Sequence, residues 1–266
     1  MSLKRMYAII VRQTYLYRDN PSRFFQMFSW MLIDLVLWGF LSEYLFDIGN
    51  TSFSIALALL GAVLLWGFLN RVHQGVMMAF LEDSWSRNFL NIFATPLKLS
   101  EYVGGFVVST IVTSVVVFVV VAFLAFLFFG FSIFILGVSL VPFLLILFLF
   151  GVSLGILAAA IVLRLGPSAE WFTWPIAAVL GPVVGVFYPV STLPSWMQAI
   201  AYLLPPTYVF EGMRSVLIGG TFGFQDVVVG MSLVVVYALG AYGVFAWVYR
   251  TVIRNGQIAR YTAESL

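Results

Sequence analysis

The chain has 266 residues, of which 62% are hydrophobic and 9% charged, and its mean hydropathy is +1.06. A soluble protein would have to hide several uninterrupted apolar runs of about twenty residues, so the composition is that of an all-α integral membrane protein. The net charge of +2 comes from basic residues spread thinly between apolar blocks, which is no footprint for nucleic acid, and the lack of cysteine excludes disulfides, thiol catalysis and Cys-based metal sites.

Residues 3–18 predict an amphipathic helix lying in the membrane interface. Leu3, Tyr7, Ile10, Thr14 and Tyr17 form one stripe, and Lys4, Arg5, Arg12 and Arg18 take the other side. This mixed stretch is not the compact apolar core of a cleavable signal peptide. Asn20-Pro21 then caps and opens the next helix. Six transmembrane spans follow at roughly 24–44, 53–70, 102–129, 141–163, 170–187 and 227–249, and the whole chain, 1–266, reads as one membrane domain. Pro142 is expected to divide the long run that starts at Phe131. With the N-terminus in the cytoplasm, twelve of the 13 basic residues fall on the cytoplasmic side and only Arg214 lies outside. That asymmetry predicts a multi-pass protein of the inner (plasma) membrane with both termini cytoplasmic.

Two connecting stretches carry patterns of their own. In the cytoplasmic segment 82–95, Leu81, Trp85, Phe89, Ile92 and Phe93 follow helical spacing, while Glu82, Asp83 and Arg87 cover the remainder. Asp83 or Ser84 would cap its start and Thr95-Pro96 would end it. On the far side, residues 195–218 are apolar but broken by proline into two half-length helices, which predicts a re-entrant helical hairpin. Thr207, Glu211, Arg214 and Ser215 share one face of its second helix, and Glu211 and Arg214 are spaced to pair.

The cytoplasmic "ATPLKLSEYVGG" and the far-side "STLPSWMQAIAYLLPPTYVFEGMRSVL" resemble the type-2, export-type permeases of ATP-binding-cassette (ABC) transporters. The resemblance extends to the six-span layout and the interfacial first helix, although "EDSWSRNFLNIF" departs from the Glu-Arg-Glu-x-Gly-Thr run common there. It implies that 82–95 is a coupling helix seated in a cleft of an ABC ATPase subunit, through Glu82, Asp83, Trp85, Arg87, Phe89, Ile92 and Phe93. It further implies a dimer with a second permease protomer, most simply a homodimer, and a gate at Thr207, Tyr208, Glu211 and Arg214. ATP and magnesium would sit on the partner ATPase, with no cofactor on this chain. The substrate expected is an amphiphile, a lipid-linked molecule, a glycan or a drug.

The chain's own chemistry is sparse. Its only lysines, Lys4 and Lys98, follow no Gly-rich phosphate loop, so ATP hydrolysis must belong to another subunit. Gly151 to Gly155 reads G-x-S-x-G, and with His73 as base Ser153 would make an intramembrane hydrolase. The competing reading is a small-xxx-small face for close helix packing. Asp34, near the middle of the first span, would either join helices by bonding Ser109, Thr110, Thr113 or Ser114, or line the pathway. A proton-coupled secondary carrier would also use such a residue, but the inverted repeats expected of that class are absent.

Overall fold

The computed structural model describes residues 2–48, 53–86, 91–92, 95–220 and 223–255, and among these the protein is entirely helical. Ten α-helices are described: α1 (Leu3–Asp19), α2 (Pro21–Asp47), α3 (Phe53–Trp85), α4 (Leu99–Phe129), α5 (Leu140–Leu165), α6 (Glu170–Thr173), α7 (Pro175–Val183), α8 (Ser195–Ala201), α9 (Pro205–Leu217) and α10 (Phe224–Arg254). Among the described residues, four helical segments are long and apolar enough to cross a membrane: Pro21–Asp47, Leu99–Phe129, Ile133–Leu165 and Phe224–Arg254. Large apolar side chains such as Val119 and Phe123 on α4 and Leu239 on α10 point outward, which lipid accommodates and water does not.

The core is built around α5, with α3 and α10 packed along it, α2 against α3, and α1 against α4. Gly151 and Gly155 make the α3–α5 approach possible. A Cβ added at Gly155 would lie 2.6 Å from Val76 Cβ and 2.9 Å from the His73 carbonyl oxygen. One added at Gly151 would meet Val72 Cβ at 2.9 Å. Ser153, between the two glycines, is fully buried and donates to the Leu149 carbonyl at 2.7 Å, in regular helix. The packing reading of G-x-S-x-G therefore describes this segment, and the strained turn that a nucleophile needs is not there.

Several expected boundaries move. The second span was expected to end near Asn70, but α3 runs unbroken to Trp85, because Val72, Val76 and Phe80 continue its buried face. Glu82, Asp83 and Trp85 are consequently the last turn of α3, not the opening of a separate coupling helix at 82, and Asp83 is no N-cap. The break after Phe131 falls at Gly137 (φ 54°, ψ −135°), a non-helical kink inside the 3-10 stretch Ile133–Ser139, while Pro142 sits in the first turn of α5, where its missing N–H costs nothing. The fifth span is interrupted: Pro175 separates α6 from α7, and Gly185 (φ 67°) turns the chain soon after. From 170 to 183 the rise is only about 21 Å, short of a hydrocarbon core of about 30 Å.

Candidate functional site

At one end of the bundle α1 meets the start of α2, the end of α3 and the start of α4 in a cluster of charged side chains. Asn20 caps α2 as expected, its Oδ1 accepting from the Arg23 N–H at 3.3 Å, and so turns the chain from α1 back into the bundle. In α1, the stripe of Leu3, Tyr7 and Thr14 faces away from the protein, whereas Ile9 and Gln13 are buried against it. Gly105 admits α1: a Cβ there would lie 2.6 Å from Ile9. Arg5 and Arg12, expected on the opposite, solvent side, instead turn inward toward carboxylates.

Asp83 is the centre of this cluster. Its side chain is fully buried; Oδ1 accepts from Arg12 Nη2, and Oδ2 accepts from the Tyr102 hydroxyl at 2.7 Å. Burial alone would lower the Arg12 pKa, but the hydrogen bond to Asp83 and the field of that carboxylate reverse the sign and raise it. Glu82, one residue earlier, is paired with Arg23 of α2, whose guanidinium lies 4.6 Å above the Tyr17 ring. Glu101, in the first turn of α4, accepts from the N–H of Lys98 at 3.0 Å and from that of Ser2, with Arg5 3.5 Å away. The last turn of α3 is thereby fastened to α1, α2 and α4 at once. Trp85 is half-exposed there and donates its indole N–H to Glu170 at 2.8 Å, reaching α6.

Of the expected docking residues, Glu82 and Asp83 face inward as internal partners, Trp85 is exposed and Ile92 half-buried. Arg87, Phe89 and Phe93 lie outside the described residues. Thr95 closes a turn onto Ile92, its hydroxyl donating to the Ile92 carbonyl at 2.6 Å. An apolar hollow of about 360 Å³, lined by Ile9, Ile92 and Leu97 among others, separates this segment from α1.

Near the Gly61 end of α3, α8 and α9 form the two short helices that proline spacing predicts. Val209, Phe210 and Met213 are buried against the bundle. The polar face of α9 is occupied internally. Thr207, fully buried, donates to the Ala201 carbonyl at 2.6 Å, and the Tyr208 hydroxyl to the Tyr202 carbonyl at 2.8 Å. Glu211 Oε1 accepts from both Arg214 Nη2 at 2.9 Å and the Val190 N–H at 2.7 Å, while Arg214 Nη1 donates to the Val186 carbonyl at 3.2 Å. The pair clamps α9 to the turn at 186–190.

Asp34 is half-buried on α2, one turn beyond Trp30, and among the described residues no hydrogen bond reaches it. Of the hydroxyls expected to receive it, Thr113 donates to the Ser109 and Thr110 carbonyls at 3.1 and 3.2 Å, and Ser114 Oγ is buried with no hydrogen-bond partner among the described residues. On the neighbouring turn, Trp38 stacks on Phe187 at 4.2 Å between centroids.

Sequence reasoning missed Arg71. It counted as a cytoplasmic flank, yet it sits 14 residues, about 21 Å, up α3 from Trp85. There it lines a cavity with Arg23, Gln26, Gln74, Glu82, Trp30 and Trp174. The signal was the unbroken helical pattern of 71–85.

A bundle of long apolar helices with outward-facing apolar side chains, and a charged cluster where α1, α2, α3 and α4 meet, is the architecture of a multi-pass membrane protein. The chain is a member of the ABC-2 type transporter family, whose model matches residues 4–218. It is thus a membrane-spanning permease subunit of an ABC transporter, a family that normally pairs with an ABC ATPase subunit. Comparison with curated proteins returned no match.

Proposed function

We propose that the chain forms the translocation pathway of an ATP-driven exporter, assembled as a two-fold dimer of permease protomers with two separate ATPase subunits. In this reading ATP and magnesium bind the ATPases, both termini are cytoplasmic in the inner membrane, and α3 and the interrupted 170–187 segment complete six spans. The supporting observation is the fastening of the Trp85 turn to α1, α2 and α4. A displacement of that turn by a docked ATPase cannot stay local, because buried ion pairs resist separation. It would pass to α2, α3 and the 170–187 segment and part them for an amphiphilic substrate, a lipid-linked molecule, glycan or drug. Asp34 and the stacked Trp38–Phe187 pair would line this pathway, and the α8–α9 hairpin would close its outer end at Thr207, Tyr208, Glu211 and Arg214.

Co-purification tests the reading. Trp85, Phe89 and Phe93 all replaced by Ala should abolish retention of the ATPase subunit, since truncating central interface aromatics costs about 2 kcal/mol or more each. Retention at wild-type yield, with transport intact, would overturn the docking assignment.

A further inference from the structure

Arg71 poses a problem of electrostatics. Its Nε and Nη2 are both buried and have no hydrogen-bond partner among the described residues. Buried guanidinium nitrogens are costly unless satisfied, and Arg is always charged. The cavity it lines holds one other cation, Arg23, and one anion, Glu82, and these two already pair with each other. One positive charge is left over.

The space fits a small oxyanion. It measures about 40 Å³, on a scale where one water takes about 10–15 Å³. Gln26 of α2 and Gln74 of α3 line it, together with Trp30 and Trp174. From Trp30, exposed apolar side chains continue along one side of α2 through Ile33 and Leu37. A charged head in the cavity would therefore have an apolar track for its tail. Asp34 lies one turn beyond Trp30 and does not line the cavity.

We propose that the Arg71 cavity between α2, α3 and Trp174 binds a phosphate-type oxyanion carried as the headgroup of an amphiphile, with Arg71 supplying the forked donors. This rests on the pathway reading above for its biological role, but the binding itself does not require it. A guanidinium fork suits a phosphate or carboxylate better than a point charge does.

Binding is measured by calorimetry on the purified full chain in neutral detergent, with dihexanoyl phosphatidic acid, dihexanoyl phosphatidylcholine and inorganic phosphate as probes. Phosphatidic acid should bind, and Arg71→Gln should weaken it about tenfold or more, the loss of a charge-assisted hydrogen-bond pair. Two further variants guard against misfolding of the first. Arg71→Lys keeps the charge and loses the fork, and Gln74→Glu adds a negative charge to the same wall; each should weaken binding severalfold with unchanged elution and unfolding temperature. Inorganic phosphate competing equally well would make the ligand a free anion at this oxyanion site; failure to compete would assign a lipid headgroup. Equal binding of phosphatidylcholine, or unchanged affinity in all three variants, would overturn the proposal. Failure of the wild-type chain to retain any ATPase subunit, with the binding intact, would instead remove the exporter reading and leave the site standing.

Discussion

Replacing Asp83 should loosen the charged end of the bundle by a calculable amount. Asp83→Ala leaves the Arg12 guanidinium and the buried Tyr102 hydroxyl without their acceptor. Breaking one side of a fully buried ion pair costs about 3–5 kcal/mol. The Arg12 side chain is 31% exposed and can regain some water, so about 2–3 kcal/mol is expected. Tyr102→Phe removes one hydrogen bond to a charge that Arg12 still neutralises, for about 1–2 kcal/mol. The double replacement Arg12→Met with Asp83→Leu leaves no orphaned charge, and should be less destabilising than the sum of its singles by about 1 kcal/mol or more. Unfolding in mixed detergent micelles, followed by tryptophan fluorescence, gives the values for all five variants: Asp83→Ala, Tyr102→Phe, Arg12→Met, Asp83→Leu and the double replacement. Additivity within about 0.5 kcal/mol would show that Arg12 and Asp83 do not depend on each other, and would refute the account of this cluster.

Two other perturbations follow from close contacts. At Glu211 and Arg214, exchanging the two charges should not rescue either single reversal, because the new Arg would face the Val190 N–H and the new Glu the Val186 carbonyl. Wild-type transport by Glu211→Arg with Arg214→Glu would contradict that. In the core, Gly155→Val should destabilise by about 1–3 kcal/mol through overpacking against α3, whereas Gly240→Ala on α10, where an added Cβ meets nothing within 4 Å, should be neutral or stabilising by up to about 1 kcal/mol. Equal unfolding temperatures for the two variants would refute the tight α3–α5 seam.

The sequence carried the long apolar helices, the Asn20 cap, the small-residue packing face and the proline-divided far-side helices, since each depends on local spacing. It did not carry which way a charge turns. Arg5 and Arg12 look solvent-facing on a helical wheel, but the tertiary fold brings Glu101 and Asp83 beneath them, a contact 96 and 71 residues away along the chain. The end of α3 was misplaced for a related reason. Polar residues at 70–74 suggest a membrane boundary, yet Arg71, His73 and Gln74 interrupt the charge pattern without breaking the helix. With its length underestimated, the carboxylates of Glu82 and Asp83 were read as free for a partner when they are already taken, and the buried position of Arg71 went unseen.

The unbroken course of α3 has a mechanical consequence. Trp85 lies near one end, Gly61 near the other, where it packs against Met213 of α9 at 3.0 Å from its would-be Cβ. Between them, the Val72 and Val76 contacts on Gly151 and Gly155 hold the rod with almost no clearance. From Val72 the two arms measure about 20 Å and about 17 Å. A rod pinned near its midpoint behaves as a seesaw: a push of about 3 Å at the Trp85 end swings the Gly61 end by about 2.5 Å in the opposite direction. The α8–α9 pair can thus feel a displacement of the Trp85 turn without any chain of small rearrangements between them, because a single helix connects the two.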